Sequence, residues 1–371
     1  MKKLGIIGWR GMVGSVLIDR MQQENDFDKF NVSLFSTSQA GQAAPRQLKV
    51  AKLLLDAEDL EQLSAMDYLL SAQGSDYTEL VRPQLDEMGW KGYWIDAASL
   101  LRTEADSQLI LDPVNKKDIV KSLDSGIKNY IGSNCTVSPM LMAMNGLFKQ
   151  DLIEWISMMT YQAASGAGAK SIKEMLLQMY NVGTLSKELI DDPSSTMQQL
   201  DQQVSERLRS DDFPQQQFGA AIAGNVLPWI DSEVDGGQSR EEWKGMVETN
   251  LLLGEGSTIP VDGTCVRVGA MRSHSLALTI KLKQDVSIDQ IEEFISSSTD
   301  WTKVVANNKK DTISQLTPAQ VSGSLDIRVG RLRKMKMGPQ YLNAFVVGDQ
   351  LLWGAAEPLR RMLHILNEQS A

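Results

Sequence analysis

A glycine-rich turn close to the start of the chain constrains the fold more than any other feature. It occupies residues 8–14, between a short apolar segment at 4–7 and a helical apolar pattern that leads to a second apolar segment at 32–35. This order predicts a strand, a helix and a second, parallel strand. Gly8 and Gly11 let a pyrophosphate approach the N-terminus of that helix, where unpaired N–H groups favour an anion. A turn that only packs helix on strand is the alternative, because the usual dinucleotide fingerprint has the spacing G-x-G-x-x-G.

The residues after the second predicted strand indicate which dinucleotide would bind. NAD enzymes usually place an Asp or Glu there, which binds the ribose 2′-hydroxyl and repels a 2′-phosphate. This chain has Ser36, Thr37 and Ser38 instead. The hydroxyl groups of Thr37 and Ser38 and the guanidinium of Arg10 are available to a phosphate, so we expect NADP rather than NAD.

Alternating α/β segments continue to about residue 134 and predict an open parallel sheet. Apolar segments at 68–72, 93–96 and 129–131 each end in small or polar residues. In parallel sheets, ligands bind at these carboxyl ends. We therefore expect an α/β fold with a Rossmann-like dinucleotide-binding domain.

The pattern then changes and predicts a second domain. Residues 276–282 alternate between apolar and polar side chains, as in a half-exposed antiparallel strand. We expect an NADP-binding domain at 1–133, completed by a C-terminal helix at 355–371. An α+β catalytic and dimerisation domain with a mixed or antiparallel sheet would span 134–354. The apolar face of 276–282 suggests a homodimer, and the Gln-rich stretch 191–217 predicts a solvated helix.

Charge and cysteine content restrict the partners. The chain has 37 Lys and Arg against 47 Asp and Glu, a net charge of −10, which repels nucleic acid and anionic membrane surfaces. A small anionic ligand would need a local cluster of Arg and Lys. Two cysteines are too few for a disulfide framework, and no signal peptide or bilayer span is evident. We expect a cytoplasmic protein that binds a small molecule, and neither nucleic acid nor membrane.

Cys135 is the predicted nucleophile. It follows a predicted strand and precedes an apolar helix, and a helix N-terminus favours the reactive thiolate. An inert buried thiol is the alternative. Cys265 lies inside an apolar strand pattern, and we interpret it as structural.

The chain has only two histidines, so the general acid or base is chosen by elimination. His274 starts a predicted strand, and we expect a pKa near the working pH. His364 lies on the C-terminal helical pattern, which favours surface exposure or packing. Arg267 is a charge in an apolar strand, and it would bind either a substrate carboxylate or an internal acidic partner.

Two further features suggest ligand contacts. Residues 160–169 form a run of small side chains before a helix predicted at 170–180, and this run allows close backbone approach to a ring or phosphate. A flexible connection is the alternative. Arg102 and Lys244 are cations that could hold an anion, although each taken singly favours a surface position.

Seven segments together resemble aspartate-β-semialdehyde dehydrogenase of the Gram-negative bacterial type. They are residues 8–14, 132–138, 160–169, 241–244, 260–263, 267–274 and 353–358. The resemblance implies an NADP-dependent homodimeric enzyme that reductively dephosphorylates L-aspartyl-4-phosphate to aspartate semialdehyde, toward lysine, threonine and methionine. The alternatives are a reductase of a related acyl phosphate, such as N-acetylglutamyl phosphate, and a non-catalytic nucleotide-binding sensor.

The resemblance also implies a role for each matching residue. Cys135 would form a thioester, His274 would be the acid or base, and Gln162 and Asn134 would orient the reacting group. Arg267 and Glu241 would bind the substrate's α-carboxylate and α-amino group, and Arg102 and Lys244 its phosphate. Cofactor contacts would come from Gly8, Arg10, Gly11, Met12, Val13, Thr37, Ser38, Gln73, Ser165, Gly166, Pro193 and Gln350.

Two positions next to the predicted nucleophile depart from the family pattern. Ser133 stands where the family usually has Gly, and Pro139 where it usually has Leu. Pro139 would be tolerated in the first turn of a helix. Ser133 would add strain if the position demands a positive φ.

Overall fold

A fully parallel seven-stranded sheet forms the first part of the computed structural model, which describes residues 1–369. Its inner strands are short, mainly apolar and buried, and the strand order is β3-β2-β1-β4-β5-β7-β6. This arrangement confirms the predicted Rossmann-like fold. In chain order the elements are β1 (Lys3–Ile7), α1 (Met12–Gln23), β2 (Asn31–Ser36), β3 (Leu55–Asp56), α2 (Leu60–Ser64), β4 (Tyr68–Ser71), α3 (Ser75–Glu87), β5 (Tyr93–Asp96), β6 (Ser107–Ile110), α4 (Asp112–Asp124) and β7 (Asn129–Gly132).

A mixed eight-stranded sheet forms the second part and confirms the predicted change of architecture. Its order is β13-β14-β15-β12-β8-β11-β9, and β10 also pairs with β8. The elements are α5 (Val137–Lys149), β8 (Ile153–Gln162), α6 (Ala169–Asp191), α7 (Met197–Arg209), β9 (Val226–Leu227), α8 (Arg240–Leu253), β10 (Val261–Asp262), β11 (Cys265–Val268), β12 (His274–Leu282), α9 (Ile288–Ser296), β13 (Thr302–Val304), α10 (Lys309–Gln315), α11 (Pro318–Val321), β14 (Ile327–Met335), β15 (Gly338–Gly348) and α12 (Glu357–Gln369).

The surroundings of strand β12 bear on the expectation of a homodimer. It is antiparallel to both β8 and β15 and half exposed, as predicted. However, its apolar face is almost completely buried within the chain's own core, in one cluster with the apolar side chains of α5. This face therefore does not itself indicate a homodimer, because the hydrophobic alternation here serves intrachain packing.

Two helices differ in length from their predictions. The helix expected at 170–180 extends from Ala169 to Asp191. In the stretch 191–217, beyond the end of α6 at Asp191, only Met197–Arg209 is helical, and every side chain of that helix is exposed or half-exposed. The predicted solvated helix is thus confirmed in character but shorter than the polar stretch. No helix within residues 1–369 is long and apolar enough to cross a membrane.

Helix α12 returns to pack on the first sheet. Leu359 and Leu363 are buried in one cluster with Leu4 and Ile6 of β1. The carboxylate of Asp26 fixes the same helix at its polar edge, where it forms an ion pair with Arg360 (2.8 Å) and contacts the imidazole Nε2 of His364 (2.8 Å). His364 therefore has a packing role. The domain boundaries at 133/134 and 354/355 remain predictions, and residues 370 and 371 of the expected terminal helix lie outside the described residues.

Candidate active site

Cys135 lies in the short connection between β7 and α5. The side-chain oxygen of Asn134 accepts hydrogen bonds from the backbone N–H groups of Thr136 (2.7 Å) and Val137 (3.2 Å). Its side-chain nitrogen donates to the carboxylate of Glu241 (3.0 Å). Asn134 thus satisfies backbone donors at the start of α5 and fixes the loop that carries the sulfur atom.

His274 faces Cys135 from the first position of β12. Its Nε2 lies 3.4 Å from the cysteine sulfur, and its Nδ1 accepts a hydrogen bond from the backbone N–H of Ala163 (3.1 Å). Because Nδ1 is the acceptor, the neutral imidazole carries its proton on Nε2, which points toward the sulfur.

The ionisation of His274 differs from the expected one. Complete burial, and next the positive charge of Arg267, hold the pKa of His274 well below its ordinary value. The imidazole is therefore neutral near pH 7. The expectation of a pKa near the working pH is wrong, because burial penalises the charged ring.

The pKa of the Cys135 thiol is also shifted in the direction that disfavours the charged form. Burial, and next the negative charge of Glu241, raise the pKa of Cys135 to about 12, while Arg267, Arg102 and Lys244 act in the opposite direction. The expected gain of thiolate character from the start of α5 is wrong, because desolvation outweighs the nearby positive charges. The cysteine is a thiol near neutral pH.

Arg267 on β11 is a buried cation that has no acidic partner among the residues that the structure describes. Its guanidinium donates to the backbone carbonyl of Ala163 (2.9 Å), and none of the ion pairs within residues 1–369 involves it. The internal ion pair considered above is therefore absent from the described residues. A Cβ atom at Gly166 would lie 2.8 Å from the Arg267 guanidinium and 3.2 Å from the imidazole of His274. Glycine at this position lets both groups face one space, which can receive a carboxylate.

Helix α8 presents three buried charged side chains on one face toward this site. Glu241, Lys244 and Glu248 are spaced by three and four residues. The carboxylate of Glu241 contacts both the side-chain nitrogen of Gln162 (3.3 Å) and that of Lys244 (3.2 Å). Lys244 also pairs with Asp231 (2.6 Å). Burial lowers the pKa of Lys244, but the charges of Glu241 and Asp231 outweigh it and raise the pKa, so the amine stays protonated.

Arg102 is held in place by three acceptors. Its Nε donates to the carbonyl of Gly132 (2.8 Å), and its two terminal nitrogens donate to Glu248 (2.9 Å) and to the carbonyl of Ala97 (3.4 Å). A guanidinium has five N–H donors, so two remain for an oxyanion. Sequence reasoning missed Glu248, although its helical spacing from Glu241 was a usable signal.

The predicted cluster of cations divides between two places. Arg102, Lys244 and Arg267 all lie close enough to Cys135 to lower the pKa of its thiol. Arg10 instead lines a separate cleft on the first sheet. The local cluster of cations expected for a small anionic ligand is therefore formed by Arg102, Lys244 and Arg267, and Arg10 is not part of it.

That cleft, of about 340 Å³, lies at the carboxyl ends of β1, β2 and β4. At its rim the guanidinium of Arg10 donates to the hydroxyl of Ser38 (3.0 Å). Gly8 has a φ of +76°, and a Cβ atom there would lie 2.5 Å from the backbone of Ala72, so no other residue fits. The lining residues are Gly8, Trp9, Arg10, Gly11, Phe35, Ser36, Thr37, Ser38 and Gln73.

The cleft fits a dinucleotide by its chemistry. Helix α1 begins at Met12 and Val13, and Gly11 before it offers no side chain to cap the helix. The first backbone N–H groups of α1 are thus available to an anionic group such as a pyrophosphate. Hydroxyl groups and a guanidinium stand at the other end, where the ribose would lie.

Three other predicted cofactor residues lie beside the cysteine and histidine. Gln350 donates to the hydroxyl of Ser165 and accepts a hydrogen bond from the backbone N–H of Ser273 (2.8 Å), next to His274. Gly166 follows Ser165 and faces His274 as described above. Pro193 is separate from them. It is exposed beyond the far end of α6, about 33 Å from the start of that helix by helical rise, and its cofactor contact stays a prediction.

The two departures from the family pattern are accommodated. Ser133 does not adopt a left-handed backbone conformation, so the strain considered above does not arise. Its hydroxyl shares a hydrogen bond with that of Ser138 (2.6 Å). Pro139 lies in the first turn of α5, where a missing N–H leaves no intrahelical hydrogen bond unmade.

Two family models divide the chain between them. Residues 3–122 match the model described as "Semialdehyde dehydrogenase, NAD binding domain", and residues 144–353 match "Semialdehyde dehydrogenase, dimerisation domain". With the parallel sheet and the cysteine–histidine pair, these matches define the class of protein, an oxidoreductase that uses a nicotinamide dinucleotide on a small-molecule substrate and forms a dimer.

A solved structure narrows the class to a family. Aspartate semialdehyde dehydrogenase from Francisella tularensis is 48% identical, with a TM-score of 0.94, and the match covers 99% of this chain and 100% of that one. The chain therefore belongs to the aspartate-semialdehyde dehydrogenase family.

More distant structures share the fold alone. Aspartate semialdehyde dehydrogenase II from Vibrio cholerae, solved with ASA, is 24% identical with a TM-score of 0.80, and the match covers 99% of this chain and 98% of that one. The Candida albicans enzyme, solved with NADP, is 16% identical with a TM-score of 0.67 and the same coverage.

Proposed function

We propose that the chain catalyses the reversible, NADPH-dependent reductive dephosphorylation of L-aspartyl-4-phosphate to L-aspartate 4-semialdehyde. The product feeds the synthesis of lysine, threonine, methionine, isoleucine and diaminopimelate. The observation that carries the proposal is the sulfur of Cys135, 3.4 Å from the Nε2 of His274 and surrounded by three cations. Membership of the aspartate-semialdehyde dehydrogenase family supports the choice of substrate.

The charges around Cys135 suit each end of this substrate. Arg267, which has no acidic partner within residues 1–369, binds the α-carboxylate. Glu241 accepts hydrogen bonds from the α-amino group. Arg102 and Lys244 bind the phosphoryl group, Arg102 with its two uncommitted donors. Cys135 then lies between the two anionic ends, where the acyl carbon would sit.

The chemistry proceeds in two steps that conserve atoms and charge. The sulfur of Cys135 attacks the acyl carbon, the carbon–oxygen bond to phosphate breaks, and the thiol proton ends on the departing phosphate. When bound in the cleft lined by Gly8, Arg10 and Gly11, a nicotinamide dinucleotide would supply the hydride that reduces the resulting thioester. His274, whose Nε2–H faces the reacting atoms, relays one proton from solvent to the oxygen of the thiohemiacetal, so the ring is neutral before and after the step, and collapse releases the aldehyde and the free thiol. Gln162 and Asn134 hold Glu241 and the cysteine loop in position.

A phosphate-dependence assay tests the function. Purified protein is mixed with aspartate semialdehyde, NADP and inorganic phosphate, and the absorbance of NADPH is followed. We expect turnover that requires phosphate, because phosphate must attack the thioester in this direction. Phosphate-independent turnover, or turnover of N-acetylglutamate semialdehyde in place of aspartate semialdehyde, would contradict the proposal.

NADP as the preferred cofactor is part of the proposal. The ribose end of the cleft offers Arg10, Thr37 and Ser38 and no acidic side chain, and a 2′-phosphate would receive charge-assisted hydrogen bonds there. We expect Arg10→Ala to lower kcat/KM for NADP by about 10- to 100-fold, the cost of one or two such bonds, and to leave kcat/KM for NAD nearly unchanged.

The matched control for this variant is Arg209→Ala, on the exposed helix α7. Steady-state kinetics with both dinucleotides provide the measurement. An equal loss with NADP and NAD in Arg10→Ala would show that Arg10 supports the turn rather than the 2′-phosphate, and an equal kcat/KM for the two dinucleotides in the parent protein would refute the NADP preference itself.

A cytoplasmic location also belongs to the proposal. Both cysteines, Cys135 and Cys265, are free thiols, and a reducing compartment keeps thiols in that state. The thioester chemistry requires a free Cys135, so the location and the mechanism agree.

A further inference from the structure

Glu248 is a buried carboxylate whose two oxygens bind different parts of the active site. Only 1% of the residue is exposed. One oxygen accepts a hydrogen bond from the backbone N–H of Asn134 (2.6 Å), and the other accepts from the guanidinium of Arg102 (2.9 Å). Hydrogen bonds to a charged group of this kind are short and strong. No residue role assigned above requires this carboxylate.

The two partners of Glu248 come from separate elements. Arg102 follows β5 of the first sheet, and it also donates to the carbonyl of Gly132 at the end of β7 (2.8 Å). Asn134 is the residue immediately before Cys135. The guanidinium of Arg102 is therefore connected to the loop that carries Cys135 in two ways. One is its direct hydrogen bond to Gly132 at the end of β7, and the other passes through Glu248 on α8.

We propose that Glu248 is a positioning residue that sets the distance between the anion-binding guanidinium of Arg102 and the sulfur of Cys135. The proposal rests on the proposed function, in which Arg102 binds the phosphoryl group that leaves the carbon attacked by Cys135. Attack and departure take place at one carbon, so an error of about 1 Å between these groups lowers the rate strongly.

The chemistry of the link requires a carboxylate. Both partners are donors, and a carboxylate can accept from both at once. The amide of a glutamine has one accepting oxygen, for which the charged guanidinium of Arg102 is the stronger donor, so its NH₂ group would face the backbone N–H of Asn134, donor against donor. Glu248→Gln therefore keeps the size of the side chain but breaks one side of the link.

Three measurements on Glu248→Gln test the proposal, and two of them do not need turnover. Calorimetric titration with inorganic phosphate, with NADP present, should show Kd raised at least tenfold, while the Kd for NADP changes less than twofold. Hydrogen exchange of the segment 132–138 should become faster, because the N–H of Asn134 loses its acceptor. The kcat at saturating phosphate should fall at least tenfold.

Glu174→Gln is the matched control. Glu174 is also a buried carboxylate with two donors, the backbone N–H groups of Gln217 (2.8 Å) and Phe218 (3.2 Å), but it contacts neither Arg102 nor the cysteine loop. This variant should leave phosphate binding and exchange at 132–138 within twofold of the parent. If Glu248→Gln does not fold, Arg102→Lys examines the link from its other end and should speed exchange at 132–138 in the same way.

The outcomes separate this proposal from the function itself. Unchanged phosphate affinity in Glu248→Gln, or weakened affinity without faster exchange at 132–138, would overturn the positioning role. So would equal losses in Glu174→Gln, because these would indicate a general effect of removing a buried charge. If the parent protein shows no phosphate-dependent turnover, the proposed function fails, and phosphate binding and exchange still decide whether Glu248 links Arg102 to the loop.

Discussion

Cys135→Ala is expected to lower kcat by at least about a thousandfold, since the loss of a covalent nucleophile removes the whole two-step route. No substitute is available nearby. Cys265 is buried, with a pKa raised to about 12 chiefly by burial, and His274 points its protonated nitrogen at the reacting position. The phosphate-dependent NADPH assay gives the measurement.

The other cysteine provides the control for this variant. Cys265→Ala should keep kcat within about twofold and cost about 1 kcal/mol of stability, as is typical of a small buried truncation. Mass spectrometry of the parent, mixed with aspartate semialdehyde and NADP but without phosphate, should show one aspartyl group attached to the peptide that contains Cys135. Turnover of Cys135→Ala above about one per cent of the parent, or a mass change on another residue, would refute the thioester.

The parts of the fold that were predictable depend on local pattern. The turn at 8–14 and the strands it joins follow from glycine spacing and short apolar runs, and the alternation in β12 follows from its period of two. What the apolar face of β12 packs against was not predictable, because alternation shows which side is buried but not whether the chain itself or a second copy buries it. The length of α6 was not predictable either, because the sequence after residue 180 gives only a weak signal for the end of a helix.

In the candidate site too, some features were predictable from the sequence and others were not. Cys135 and His274 follow from a strand–helix junction and from the scarcity of histidine. Their ionisation did not follow, because burial and the charges of Arg267 and Glu241 come from segments far away in the sequence. Glu248 was missed for the same reason. Its partner Arg102 lies 146 residues away, and spacing along α8 cannot indicate which cation its face meets.

The charge distribution explains how an acidic chain can bind two anionic ligands. With a net charge of −10, the chain repels anions at long range. Three cations are nevertheless concentrated around Cys135, and two of them, Arg102 and Lys244, are paired with acidic side chains. Such pairs hold the cations in place while leaving some donors uncommitted. Arg267 has no acidic partner within residues 1–369, and it suits the α-carboxylate, which stays on the substrate throughout the reaction.

The alkylation of Cys135 should rise about tenfold with each pH unit from 7 to 10, about a thousandfold in all, without a plateau. Iodoacetamide reacts with the thiolate, and the thiolate fraction grows in this way as long as the pH is below the pKa of the thiol. Burial and Glu241 raise the pKa of Cys135 to about 12. His274 adds no step to the profile, because its pKa is held well below the range and the ring stays neutral throughout. Peptide mass spectrometry of the alkylated Cys135 gives the rate at each pH.

A small free thiol serves as the reference for this profile, since its ordinary pKa of about 8.5 makes its rate level off above pH 9. Cys265→Ala removes the second thiol and assigns the label to Cys135. Glu241→Gln removes the charge that, after burial, most opposes the thiolate, so it should speed alkylation at pH 8 about threefold. A rate that is already constant at pH 8 in the parent would contradict the raised pKa and would mean that Arg267, Arg102 and Lys244 together outweigh the desolvation of the sulfur.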